Sequence, residues 1–552
     1  MKDKPAYFYP LLIFFIWLIT YIVCTVLWEQ KIGWDEVSYL TCARGIAKNF
    51  DFSSRTTTVM GLIKYAFPQH THHYPIYSAY IAIFFKLFGV SVEVAYFSTW
   101  IAALITCLFV YFTMLLMTEN NKIFSSIVGI VFLFLPRIVD YCDSAMMEVP
   151  CCALVSVFAF FIFKSISKGK LNPFFLGIAA IWLYFFKSLF IGVVIGFLFL
   201  IGVLHKVKQI GIKLKSTFSF LVSFFLYLGT FSTIYFIFTK FIFLPLAPMM
   251  NFDRRVEDLE TYADFAAGFF NNPLSNILLN LKGFYESVIR HYYPHFDVIL
   301  IPDMEGFYDS SPSWCEFGMF FLIFFYVIVF TFLSWKRLSP VHRAFNIFTI
   351  TSVLSFNIIF NLIATSSLGI RSRYNLIYVP LLLISSAICL WANRDYFKPF
   401  ILENKKGGMF VLLSFLIIVY CPFFCAAVKV AQWNKDLYHN IAHANSEIVK
   451  KFIKDDHPMF IYFHTGTHTT WDSFPTRVIL MEATNDQIKI INVKLPRPIE
   501  YLFLHPNNNL FKINQNLILN GEPIIDNQYT LFGVDPKNRF VVYRYNPETN
   551  LN

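Results

Sequence analysis

The chain has 552 residues, 57% of them hydrophobic and only 14% charged, with a mean hydropathy of +0.55. That balance excludes an ordinary soluble globular protein and fits a chain dissolved mostly in lipid. The net charge of +10 does not point to nucleic acid, because the basic residues sit in short loops between apolar runs, where they report membrane orientation.

The first apolar run, residues 7–28, is long enough to cross a bilayer, which takes ~20 apolar residues. Lys2 and Lys4 precede it and no small-residue cleavage site follows, so it is expected to remain as an anchor with the N-terminus inside. Directly beyond it comes Gly33-Trp34-Asp35-Glu36-Val37-Ser38-Tyr39, an acid pair where a membrane helix ends. Ile76–Phe88 is apolar but short for a span and carries Lys86, so it is expected to lie along the outer surface. Crossings are then expected at 91–117, 123–141 and 149–163, followed by a short pair at 174–186 and 189–204 with Lys187 at the turn. The basic loop 205–215 should be cytoplasmic.

The run 218–238 leads to a long polar segment, 245–313, and further crossings are expected at 317–333, 344–364, 374–391 and 409–428. The total is about eleven, with the basic loops consistently inside. The tail from Lys429 is polar, with β-like runs at Met459–Phe463, 488–493, 501–504 and Phe540–Tyr545. The expected fold is therefore an all-α polytopic membrane domain, residues 1–428, with outer loops 29–90 and 242–315. A small extracytoplasmic α/β domain, 429–552, completes it. Most of the 10 cysteines lie in or beside apolar runs as small hydrophobes, while Cys42 and Cys315 fall in outer segments and can pair.

Drawn this way, four groups of reactive side chains share one depth on the outer face. They are Asp35-Glu36 with Tyr39; His70, His72, His73 and Tyr74; Asp143 with Glu148; and Lys187 with Arg371, Arg373 and Tyr374. A polyprenyl phosphate-sugar has its tail in the bilayer and its head at this depth. Lysine and arginine can neutralise the phosphate and make it a better leaving group, and a carboxylate can take the proton of an incoming hydroxyl or amine.

Plainer readings stand beside these. Asp35-Glu36 and Glu148 can simply complement helix dipoles. Lys187 can be a snorkelling anchor. Arg371 and Arg373 oppose the positive-inside trend, which favours a function for them. Arg290, His291 and Tyr292 lie in the long outer segment, where an aromatic belt explains the tyrosine equally well.

Trp34-Asp35-Glu36-x-x-Tyr39, the later Tyr74-Pro75-Ile76 and Lys86-Leu87-Phe88-Gly89, Glu148-x-Pro150, Lys187 and Arg373-Tyr374 through Pro380 together resemble the GT-C glycosyltransferases. Within that superfamily the pattern is most similar to protein O-mannosyltransferases and the lipid A aminoarabinose transferases, over roughly residues 7–391. The resemblance implies inverting transfer on the outer leaflet, with Asp35 as base and Glu36 in a supporting contact. It also implies donor binding by Tyr39, His73, Tyr74, Glu148, Lys187, Arg371, Arg373 and Tyr374. Two departures stand out: Ser38 occupies the place of an arginine beside the acid pair, and His73-Tyr74 that of a Glu-Lys serving metal and phosphate. No metal ligand set is assigned; a divalent metal held by His72 or His73 with an acidic partner stays open.

The expected partners are a polyprenyl phosphate-sugar donor, a glycan, lipid or protein acceptor and the bilayer of an inner or plasma membrane. Two alternatives remain: a transporter or flippase for lipid-linked sugars, and an O-antigen-type ligase or polymerase. A transporter would carry ionisable groups at mid-membrane on repeated halves, and no internal repeat is visible.

Overall fold

Apolar runs become helices here, and the exposure of each face tells which neighbour it meets. The computed structural model describes residues 7–27, 34–50, 53–54, 56–58, 69–70, 76–168, 173–186, 190–206, 323–357 and 372–395, with a few between 222 and 230. In the tail it describes 449–454, 459–463, 477–481, 485–495, 497–504, 522–535 and 540–547. The crossings expected at 218–238 and 409–428 otherwise fall outside the described residues.

Helix α1 (Phe8–Leu27) buries Ile13, Trp17 and Cys24 on one face and exposes Phe15, Ile19 and Ile22 on the other. Trp17 Nε1 donates to the Trp100 carbonyl at 2.8 Å, which fixes its depth against the next long helix. Helix α2 (Trp34–Asn49) begins at the acid pair and buries Tyr39, Leu40, Cys42, Ala43 and Ile46. It packs on α3 (Ile76–Phe88), whose Tyr77, Ile81 and Phe85 form one buried stripe at four-residue spacing. The opposite face of α3 leaves Ile83, Leu87 and Phe88 exposed. Thirteen residues make only ~20 Å of helix, short of a ~30 Å hydrocarbon core. Gly89 ends it at φ +95, a left-handed position where glycine carries no Cβ penalty.

Helix α4 (Val92–Met117) is the central post. Ser91 caps it by accepting from the Val94 amide at 3.2 Å, which satisfies one of the free donors of the first turn. It meets α1, α3, and the helices α5 (Lys122–Leu133), α6 (Pro136–Cys142) and α7 (Glu148–Ser167). The single crossing expected over 123–141 is thus two helices. Pro136 lacks an N–H and fits only a first turn, so the chain breaks at Phe134 and Leu135 and restarts.

Next come α8 (Pro173–Phe186) and α9 (Ile191–Lys206). After them lie α10 (Ile323–Leu333) and α11 (Pro340–Asn357). Helices α9 and α11 run in close contact. Gly192 and Gly196 permit this: a Cβ at Gly192 would stand 2.6 Å from the Ser352 carbonyl, and one at Gly196 would strike the Ser352 hydroxyl.

The crossing expected at 374–391 divides into a 3₁₀ helix (Ser372–Tyr378) and α12 (Val379–Ala392). Pro380 cannot supply the amide that would close an α-helical bond to the Leu376 carbonyl. The Cys152 thiol of α7 donates to that carbonyl instead, at 3.1 Å. Among the described residues four helices are long and apolar enough to cross a membrane: Phe8–Thr25, Val92–Met117, Glu148–Ser167 and Asn375–Ala392.

The tail supplies five strands of a six-stranded sheet in the order β2-β5-β4-β6-β8-β7. Its strands are β2 (Thr56–Thr58), β4 (Met459–Phe463), β5 (Arg477–Met481), β6 (Ile499–Leu504), β7 (Tyr529–Asp535) and β8 (Phe540–Tyr545). The first four neighbours pair in parallel and the last two pairings are antiparallel. Strand β2 comes from the first outer loop, so the edge of the sheet is built from chain close to the acid pair. The same loop holds the short antiparallel pair β1 (Ser53–Ser54) and β3 (Gln69–His70).

The run 488–493 is not the expected strand. It lies in a helix, α13 (Asn485–Lys494), with Ile488 and Ile491 buried against the sheet and Val493 88% exposed. An i, i+3 burial pattern suits a helical period, and the strand-like isoleucines hide it. Val449, Phe452 and Ile453 cover the other sheet face.

Candidate active site

The first turn of α2 carries Asp35 and Glu36 at the positive end of the helix dipole. Glu36 is only 2% exposed, and its Oε2 accepts from the Tyr96 hydroxyl of α4 at 3.3 Å. One turn on, the buried Tyr39 ring meets Tyr77 of α3 edge-on, with centroids 5.0 Å apart. A carboxylate removed from water is costly unless hydrogen-bonded, and the Tyr96 hydroxyl supplies one such bond to Glu36.

The N-terminal turns of α4 gather two more acids. Trp100 Nε1 donates to Asp143 Oδ1 at 2.9 Å, and Thr99 Oγ1 to the Ser144 carbonyl at 3.0 Å. Asp143 ends α6, and five residues later Glu148 opens α7 at 1% exposure. Tyr77 is wholly buried, and its hydroxyl lies beside that of Thr99. Burial, together with the Glu36 and Glu148 carboxylates, holds the phenol well above its ordinary range, so the hydroxyl keeps its proton.

Two further segments reach this cluster through their backbones. Phe186, the last residue of α8, packs edge-on against Tyr77 at 5.9 Å, so the chain running into Lys187 starts beside the Tyr77 ring. Arg373 and Tyr374 lie in the 3₁₀ helix that Cys152 ties to α7 one turn beyond Glu148. The structure thus brings Glu36, Tyr39, Asp143 and Glu148 around the start of α4. Asp35 adjoins them in the first turn of α2, and His70 lies in β3. His72, His73, Tyr74, Lys187, Arg371 and Cys315 lie outside the described residues; Cys42 is buried on α2. Among the described residues no three His, Cys, Asp or Glu side chains assemble as a metal site.

Tyr77, Tyr96, Thr99 and Trp100 are absent from the sequence reading. For Tyr96, Thr99 and Trp100 a signal was available: tyrosine, threonine and tryptophan polar groups clustered in the first three turns of an otherwise lipid-like span, where each needs a partner.

No protein-family model and no curated protein matches the sequence. Solved structures do. The chain is similar to ArnT from Cupriavidus metallidurans bound to undecaprenyl phosphate, with a TM-score of 0.54 and 10% identity over 99% of both chains. The apo form of that protein gives 0.52 and 11% identity over 98% of each chain. The Archaeoglobus fulgidus oligosaccharyltransferase in complex with zinc and sulfate gives 0.50 and 14%, covering 96% of this chain and 73% of that one. The chain therefore shares its fold with these proteins. With its apolar helices, this makes the protein an integral membrane protein.

Proposed function

We propose that the protein is an inverting glycosyltransferase that moves a sugar from a polyprenyl phosphate-linked donor to an acceptor on the extracytoplasmic side of the membrane. The acceptor is a lipid glycan or a protein; fold does not choose between them. Asp35 takes the proton from the attacking hydroxyl or amine as the new bond forms at the anomeric carbon. The bond from that carbon to the phosphate oxygen breaks, and polyprenyl phosphate leaves with its electron pair. Because the phosphate needs little protonation, one base and a cationic clamp suffice, unlike the acid–base pair of a glycosidase. Lys187, Arg371 and Arg373 form that clamp, with Tyr74, Tyr374 and His73 around the head group. Glu36, Glu148 and Tyr39 line the sugar side.

One observation carries the reading: acids from α2 and the α6–α7 turn meet the first turns of α4, where Tyr96 donates to Glu36 and Trp100 to Asp143, with Glu148 buried five residues on. Chain far apart in sequence meets at one helix end, as a reaction between positioned groups requires. The likeness of fold to a transferase solved with undecaprenyl phosphate supports the donor class.

The test is the full chain in proteoliposomes with a radiolabelled polyprenyl phosphate-sugar, wild type against Asp35→Asn. The variant is expected to lose at least ~10²-fold in transfer, the usual scale for a general base. Wild-type rates in Asp35→Asn remove that residue from the mechanism.

A further inference from the structure

At the end of the bundle away from the acids of α2 and α7, cations are held in place by rings and carbonyls. The α10–α11 turn and the end of α12 meet at Asn393, which donates to Ser334 Oγ at 2.6 Å and accepts from Arg337 Nη1 at 3.4 Å. Arg343 lies over the Trp335 ring at 5.0 Å and donates to the Trp335 carbonyl at 2.9 Å. Arg394 lies over the Trp391 ring at 4.3 Å and donates to that residue's carbonyl at 3.4 Å. Trp391 in turn meets Phe124, in the first turn of α5. These contacts fix where each guanidinium sits and bring no counter-charge. Across the three segments Lys122, Lys336, Arg337, Arg343 and Arg394 stand against Glu119 and Asp395, five cations to two carboxylates.

The same surface is layered. Phe332 and Leu333, at the end of α10, are 67% and 75% exposed; Trp335 follows at 37%, and then come the exposed Lys336 and Arg337. On α12 the exposed Leu390, then Trp391 and Arg394, repeat the order apolar, aromatic, cationic. A phospholipid has that profile from chain to head group, with hydrocarbon below, an interfacial layer at the indoles and a phosphate at the arginines. A free anion would use the cations and leave the phenyl and leucine side chains uncovered. Orienting a loop in the membrane takes only a count of charges, whereas arginines stacked on tryptophan and joined through one asparagine define a place for each group. We propose that Lys336, Arg337, Arg343 and Arg394 bind the head group of an anionic phospholipid, in the leaflet opposite the proposed active site, with its acyl chains against α10 and α12.

The test titrates the full chain in detergent with phosphatidylglycerol or with the zwitterionic phosphatidylethanolamine of the same acyl chains, and counts bound lipid by native mass spectrometry. Wild type is expected to prefer phosphatidylglycerol. Arg343→Gln together with Arg394→Gln should weaken that binding roughly 30-fold, as two charges at a membrane surface do, and leave phosphatidylethanolamine unchanged. Lys164→Gln together with Lys168→Gln removes the same charge at the end of α7 and should keep the wild-type affinity. Where the arginine pair fails to fold, Lys336→Gln, at an exposed side chain, should show the same loss at roughly fivefold. Equal binding of the two lipids by wild type, wild-type affinity in the Arg343/Arg394 or Lys336 variant, or an equal loss in the α7 pair overturns the assignment.

Discussion

The two ends of α4 solve the problem of buried polar groups in opposite ways. At its C-terminal end, some 30 Å along the helix from Tyr96, His342 donates to the Met117 carbonyl at 2.7 Å. Nearby, Asn346 donates to Thr331 at 2.9 Å, and Asn393 bridges Ser334 at 2.6 Å and the Cys389 carbonyl at 2.8 Å. These are neutral amides and hydroxyls that lock α10, α11 and α12 together. At the N-terminal end charged side chains are buried as well. Among the described residues the buried charged side chains are Glu36 and Arg44 of α2, Glu148 of α7, and Asp535 of the tail, which pairs with Lys451 at 3.5 Å. Neutral networks hold helices at small cost, whereas a buried acid costs several times more unless it is paired and hydrogen-bonded. The difference separates an end held by amides and hydroxyls from one where charged side chains are buried, the end where the proposed chemistry lies.

The largest effect after that of Asp35→Asn should come from Glu36→Gln, which keeps shape and an acceptor for Tyr96 but removes the charge. Transfer is expected to fall about tenfold with the thermal midpoint unchanged, read by a turnover assay beside a melting curve. A turnover equal to wild type erases the contrast between the ends. Gly192→Ala drives a methyl into the Ser352 carbonyl, and overpacking of this kind costs about 1–3 kcal/mol. Unfolding of the detergent-solubilised protein should show the loss, with turnover per folded molecule intact.

Asn346→Leu is the mirror of Glu36→Gln. It removes the donor to Thr331 and Cys389 and should cost roughly 1–2 kcal/mol of stability while sparing activity; a loss of activity at full stability reverses the roles given to the two ends.

Smaller effects belong to the tail. The Tyr529 hydroxyl donates to the Ile499 carbonyl and accepts from Asn492, at 2.9 and 2.8 Å, so Tyr529→Phe should lower the stability of the sheet by about 1 kcal/mol. Burial, with Glu522 nearby, pushes the Tyr543 phenol up to about 12. Its folded pKa lies above the ordinary value of about 10, so the unfolded chain loses this proton first. The stabilisation is whole below pH ~10 and drains away as pH rises toward 12, a slope that chemical denaturation at stepped pH would register.

Much of the helical framework could be read from residue order. The runs at Ile76–Phe88 and 91–117 have the expected bounds because Pro75, Gly89 and the Ser91 cap are local signals. Met459–Phe463 and Phe540–Tyr545 are strands as expected. Prolines were harder: Pro136 and Pro380 each divide a run that hydropathy alone treats as continuous. The isoleucines of 488–493 favour a strand by propensity, and packing on the sheet overrides that preference. In the site, carboxylates at a helix start stand out in a lipid-like sequence. Tyr77 and Tyr96 do not, since aromatic residues are abundant everywhere in this chain.

The sequence by itself determined that the chain lives in a membrane, where its apolar runs lie and which acids and bases interrupt them. Those facts follow from transfer free energy and local backbone preference, which each residue carries with it. Only the tertiary structure decided that Tyr96 holds Glu36, that Cys152 serves the carbonyl Pro380 leaves open, that Tyr39 and Phe186 close on the Tyr77 ring, and that residues 56–58 complete a sheet more than 400 positions away. Each of these is a pairing between distant segments, set by how helices and strands close on one another, and no single stretch of chain encodes it.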